Sequence, residues 1–290
     1  MEQPLPSVRY EAAPLEASGA VVGSLNFIRR QSRKPVIHSA ALTGGAPRFF
    51  FETEERSVPL TDLRPLARRL SVDRQGFALL HRPTVVADFY DDAAIETVYG
   101  PEIEALLRRE LGVSRVILFD STRRSDDPAG AANPDGRRGP ATRVHVDYTV
   151  KSGPQRLRDL LGVAEADKLL SSGRRVAQIN VWRPIRGPVQ RSPLALADAA
   201  TVRAEDLIPT DQVFPGRTGE IYHLAYHPEQ RWYYAPQMTP DEVLLIKSWD
   251  SREDGRARFT PHSAVDLPQT PKDAPPRESI EVRTLIVFDE

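Results

Sequence analysis

The heptapeptide RVHVDYT, residues 143–149, alternates in polarity like a strand whose two faces meet different surroundings. Val144, Val146 and Tyr148 fall on one face, and Arg143, His145, Asp147 and Thr149 on the other. A strand packed on a core has little reason to gather a histidine and an aspartate on one side. A metal ion supplies one, because an imidazole and a carboxylate at i and i+2 stand side by side and can hold the same ion. A third ligand must come from elsewhere in the fold. The histidines are His38, His81, His145, His223, His227 and His262. His262 lies in RFTPHSAVDLP, after a strand-like run at 243–249. An H-x-D pair plus a distant histidine matches the two-histidine, one-carboxylate set of non-haem Fe(II) oxygenases, which leaves positions open for a co-substrate and dioxygen. H-x-D alone is common by chance, so the neighbouring segments must carry the reading.

PRESIEVRTLIVFDE (276–290) reads as a strand with Arg277, Ser279, Glu281, Arg283, Leu285 and Val287 on one face. An inward arginine is costly unless an anion pairs with it. A guanidinium forks onto a carboxylate in bidentate fashion, and a hydroxyl such as Ser279 adds a donor. The alternative is that Arg277 or Arg283 pairs with Glu281 or sits at a rim. In AQINVWRPIRG (177–187), Gln178, Asn180 and Trp182 alternate with Ile179 and Val181. The Asn180 amide suits either a ligand carboxylate or a structural partner. Trp182 reads as packing, and Arg183 falls on the opposite face. His223 and His227 are four apart, but EIYHLAYHPEQRWYY alternates like a strand and contains Pro228, which argues against a helical metal pair.

These residues need a scaffold. Strand-like runs are predicted at 20–28, 35–42, 47–53, 76–82 and 115–121, and after residue 174 at 175–183, 220–226, 231–235, 243–249, 257–262 and 279–288. The clearest helix is 91–111, where Ile95, Val98, Tyr99, Ile103, Leu106, Leu107 and Leu111 recur at helical spacing, Asp91 and Asp92 favour the start and Gly112 the end. Shorter helices are predicted at 60–70, 153–161 and 164–173. Residues 1–20 read as a loose arm, and 123–141, rich in Gly, Pro and Asp, as a mobile loop. The expectation is a single domain, mainly β with α: a double-stranded β-helix (jelly-roll, cupin-like) core with a helical N-terminal layer.

Composition narrows the chemistry. The 290 residues are 40% hydrophobic and 27% charged, ordinary for a globular domain, and the formal net charge of -1 argues against a nucleic-acid binder held by phosphate contacts. The absence of cysteine excludes disulfides, thiolate metal sites and thiol nucleophiles. No run has transmembrane length and the first residues lack the pattern of a signal peptide, so no membrane partner and a cytoplasmic location are expected.

The segments NVWRP, LLIKSWDS, RFTPHSAVDLP and PPRESIEVRTLIVF together resemble the AsaB/CmcJ-like hydroxylase/desaturase family of bacterial and fungal secondary metabolism. The likeness covers roughly 20–290 and is densest after 140. It implies an Fe(II)/2-oxoglutarate-dependent dioxygenase that uses O2 to hydroxylate, desaturate or cyclise a small-molecule substrate. It implies His145, Asp147 and His262 as iron ligands, and Arg277 with Ser279 as the 2-oxoglutarate anchor. The stretch from His262 to Arg277 is longer than in other R-x-S enzymes and holds Pro268, Pro271, Pro275 and Pro276, which leaves Arg283 as an alternative anchor. The rival readings are a non-catalytic cupin-like binder or accessory subunit, and an iron oxygenase that uses no oxo acid.

Overall fold

A computed structural model describes residues 21–289; the arm at 1–20 lies outside them. Two sheets face each other. The larger runs, edge to edge, through Val21–Ile28, Thr53–Asp62, Trp232–Tyr234, Leu194–Ala197, His262–Ala264, His145–Val146, Arg217–Leu224, Leu207–Phe214, Val36–His38 and Arg48–Phe49. The smaller runs through Phe77–His81, Glu242–Asp250, Val176–Pro184, Glu278–Phe288 and Val113–Ser125, all antiparallel.

Strand alternation sorts the smaller sheet's side chains. Ala177, Ile179 and Val181, with Val243, Leu245, Ile280 and Val282, pack outward against Tyr99, Ile103, Leu106 and Leu107. Those four belong to the helical run Asp92–Leu111, whose first turn is capped by the Asp91 side chain on the Ala93 amide. Gly112, at φ 65, closes it with a left-handed turn that returns its N–H to the Arg108 carbonyl. Each of these large side chains, buried, contributes roughly 1.5–3 kcal/mol.

The other face of the smaller sheet looks at the larger one. Trp182, Leu244 and Ile246 join Leu194, Leu196 and Tyr233 in one apolar cluster. Val176, Trp249, Leu285 and Val287 join Tyr148, Leu157 and Ala166 in another, covered by the helices Ser152–Leu161 and Val163–Ser171. A Cβ on Gly153 would stand 2.5 Å from the Trp249 indole, so only glycine lets this helix approach. Along Val176–Pro184, Gln178 and Asn180 lie between the two clusters, both fully buried. That polar interval is where a site can exist.

The described residues before Asp92 are mostly strands, with short helical pieces at Ala40–Thr43 and Arg64–Arg69. The helices gather instead at 92–111 and 152–171. The loop expected at 123–141 begins with the end of strand Val113–Ser125 and contains a hairpin, Ala131–Asn133 with Gly136–Arg138. Its glycines and prolines serve turns rather than a structureless span. Three strands of the larger sheet escaped the sequence pattern, the longest being Thr53–Asp62, which falls between the strand expected at 47–53 and the helix expected at 60–70. Leu194–Ala197 is buried throughout and cannot alternate, and Leu207–Phe214 is half-exposed with Pro209 inside it. The run 257–262 is extended chain until His262, where the strand begins.

Candidate metal centre

Strand His145–Val146 is only two residues long, much shorter than the alternating heptapeptide suggests, and Asp147 lies in the bend after it. Its position matters more than its length. His145 pairs in register with His262 across the neighbouring antiparallel strand. Directly opposed residues share a face, so this one pairing puts both imidazoles on the inner side, with ring centroids 4.6 Å apart.

Both rings are held the same way. Nδ1 of His145 lies 2.9 Å from the Arg143 carbonyl, and Nδ1 of His262 lies 2.9 Å from the Thr260 carbonyl. A carbonyl can only accept, so each Nδ1 carries the hydrogen and each Nε2 keeps its lone pair for a metal. The Asp147 carboxylate is divided in its duties. Its Oδ2 accepts from Asn180 Nδ2 at 2.6 Å and from Arg283 Nε at 2.9 Å. Its Oδ1 lies 3.6 Å from His145 Nε2. The three donor atoms lie within 4.8 Å of one another, and among the described residues no other such cluster of His, Asp or Glu forms. Two neutral imidazoles and one carboxylate fit a borderline divalent ion with open coordination positions.

Electrostatics prepares the ligands. Burial opposes the charged Asp147 carboxylate, but Arg283 and the two imidazoles outweigh it and hold the group well below the usual carboxylate range. Burial, with His145 close by, lowers His262 and keeps it neutral.

The two candidate arginines have different surroundings. Arg283 bonds Asp147, Glu281 at 2.7 Å and Asp120, so three carboxylates already occupy it. Arg277 is 3% exposed and touches no carboxylate through its guanidinium. One terminal nitrogen donates to the Ser192 carbonyl at 2.7 Å, while Nε is buried without a partner. It lines a cavity shared with His145, His262, Trp182, Glu281 and Arg124. Ser279 is buried two residues on, at the start of strand Glu278–Phe288. Asn180, read as a possible ligand for an incoming carboxylate, donates its amide to Asp147 instead. Arg183 is structural, bonded to the Tyr99 hydroxyl and the Pro240 carbonyl.

His223 sits opposite His145 in register but binds Thr210 Oγ1 at 3.0 Å and packs 4.9 Å from the Phe51 ring; burial pulls it down to about 3. His38 packs at a tilt against the Phe50 ring, and His227 stands beside Glu229. Neither they nor His81 join the cluster. Arg124 is the site residue the sequence did not mark. It sits in STRRSDD, which reads as the start of a loop, and only its pairing with Ser279 places it at the cavity.

A pair of facing sheets that aims two imidazoles and one ionised carboxylate at one point has the donor set of mononuclear non-haem oxygenases. Known proteins agree. The model of a family described as an oxidoreductase/YMDC permease-like domain matches residues 25–288. Hydroxylase/desaturase efuI of Hormonema carpetanum is 32% identical over 294 residues, spanning 94% of this chain and 97% of that protein. Hydroxylase/desaturase asaB of Aspergillus flavus is 39% identical over 148 residues, 46% of this chain and 64% of that protein. The solved structure of the iron and alpha-ketoglutarate-dependent endoperoxidase NvfI aligns with a TM-score of 0.79 at 27% identity, covering 93% of this chain and 98% of that one. The chain belongs to this hydroxylase/desaturase family. Among the described residues no helix is long and apolar enough to cross a membrane.

Proposed function

We propose that this protein is an Fe(II)/2-oxoglutarate-dependent oxygenase that hydroxylates, desaturates or cyclises a small molecule of secondary metabolism. The observation that carries the reading is the matched pair of backbone bonds to His145 and His262, which leaves both Nε2 atoms free in a cluster with Asp147, whose Oδ1 lies 3.6 Å from His145 Nε2. Iron at that point supplies dioxygen activation coupled to decarboxylation of the oxo acid. The chain's own residues do the positioning. Asn180 and Arg283 fix one oxygen of Asp147 and keep the other for the metal. Arg277, with its unpartnered Nε and with Ser279 on the same face, takes the distal carboxylate of 2-oxoglutarate. Arg283, occupied by three carboxylates, is not that anchor. The two facing sheets form the double-stranded β-helix core. Trp182, Leu194 and Ala264 beside the cavity limit water around the reacting atoms.

Anaerobic addition of Fe(II) and 2-oxoglutarate to the purified protein should produce a weak visible charge-transfer band, absent in His145→Ala. No band in the wild type, together with succinate formation unchanged by His145→Ala, would refute the reading.

A further inference from the structure

Strand Val113–Ser125 pairs along its whole length with Glu278–Phe288, and in that register Arg124 stands directly opposite Ser279. Opposed residues in an antiparallel pair point to one side. Arg124 therefore enters the cavity from the neighbouring strand while Arg277 enters from the chain just ahead of Ser279, and both line it. Two guanidinium groups converge on a cavity of ≈ 20 Å³, room for one small group at a time.

Their bonding is incomplete in the same sense. Arg277 donates to one backbone carbonyl, of Ser192, and Arg124 to another, of Gly139. Among the described residues neither guanidinium has a carboxylate within ion-pair distance, whereas Arg283 has three. Glu281 also lines the cavity, but it is bonded to Arg283. Burial, with the Arg124 charge close by, brings Arg277 down to about 10. Two like charges turned toward one small cavity, one of them with a buried Nε that has no partner, favour an anion between them.

Resting on the proposed function, we infer that Arg124 is the second arm of the oxo-acid clamp: it and Arg277 hold the distal carboxylate of 2-oxoglutarate from two sides of Ser279, and Arg124 thereby selects a five-carbon dicarboxylate over a monocarboxylic oxo acid. Arg124 is a positioning and specificity residue in this scheme, with no part in the chemistry. An acid of the right length meets both guanidiniums at once.

The test is equilibrium binding under nitrogen to the Fe(II)-loaded full-length protein, read by the charge-transfer band and by calorimetry. The two probes are 2-oxoglutarate and 2-oxopentanoate, which has the same chain length and no distal carboxylate. Arg124→Gln should raise the Kd for 2-oxoglutarate by about tenfold to a hundredfold, the usual worth of a charge-assisted bond, and leave that for 2-oxopentanoate within about twofold. Arg124→Lys should fall between wild type and Arg124→Gln, and it serves as the test variant if the glutamine form melts early. Unchanged 2-oxoglutarate binding in the variants, or equal weakening of both acids, overturns the inference while the proposed function stands. A wild-type protein that binds neither acid overturns the proposed function, and this inference with it.

Discussion

The molecule buries two charged clusters against the same sheet, and they are built on opposite plans. Beyond the Trp249 end, Lys247 is fully buried and bonds Asp73 at 2.6 Å and Asp250 at 2.8 Å. Arg175 bonds the same two carboxylates, and Arg256 adds a further contact to Asp73 at 3.2 Å. None of these side chains leaves a buried polar atom without a partner. In the metal centre, Asn180 Oδ1 and Arg277 Nε are both buried and unpartnered. A closed network is finished by the chain itself and ties Asp73 to two strands. An open one keeps donors and acceptors in reserve, which is what a ligand requires. Burial of charge alone does not mark a site, and unpartnered buried atoms occur elsewhere in the fold, as at Ser24 and Trp232; what sets this cluster apart is that Arg277, with its unpartnered Nε, lines a cavity with His145 and His262.

The contrast can be broken in order of effect. His145→Ala should abolish Fe(II) binding at micromolar metal and stop succinate release, with the thermal melt nearly unchanged; isothermal titration and a coupled succinate assay read the two. Lys247→Met should do the reverse. It removes one partner from two carboxylates, one of them fully buried. Arg175 still holds both, so the expected cost is about 3 kcal/mol, or a Tm lower by roughly 5–10 °C, with iron affinity intact in the folded protein. Asn180→Leu separates the clusters further. Iron affinity should fall by about tenfold to a hundredfold, as for other supports of metal ligands, while Tm shifts by less than about 2 °C because the substitution also removes an unpartnered buried oxygen.

Acid should sharpen the closed network specifically. Burial opposes the Asp73 charge, but Arg175 and Lys247 outweigh it and hold the group below the usual carboxylate range. A carboxyl lowered in the fold adds stability that is complete above the unfolded value, about pH 4, and is lost as pH falls through the folded value. The Tm difference between wild type and Lys247→Met should therefore be largest near neutral pH and shrink as pH drops below about 4; a constant difference would assign the loss to packing. Smallest of all, Glu104→Gln breaks an exposed i,i+4 pair with Arg108 at 2.8 Å, and should cost less than about 0.5 kcal/mol by chemical denaturation.

The candidate ligands His145 and Asp147 stood out by their i, i+2 spacing in RVHVDYT, although only His145 and Val146 of that heptapeptide form a strand, and His262 was brought in by the segments around it. The 91–111 helix was legible because its outer-sheet contacts recur at helical spacing. The positioning partners were not. Nothing in a sequence states that Arg283 faces Asp147 or that Asn180 reaches it, since both bonds cross between sheets. The anion-binding role considered for Asn180 came from its side-chain type, and its actual partner came from register. Arg124 was hidden for a simpler reason: turn-forming residues after it disguised the end of a long strand. The strands at 194–197 and 207–214 lacked alternation, one being buried on both faces and the other mostly part-exposed, with only Thr210 fully buried.

The two candidate metal histidines meet at a single register position between two very short strands. A shift of one residue in that pairing would rotate one imidazole out of the interior and leave no donor in its place. Loading with metal is thus a readout of whether distant parts of the chain have been joined in the right alignment. A variant with lengthened loops can pass that inspection, but an insertion of one residue inside either strand cannot.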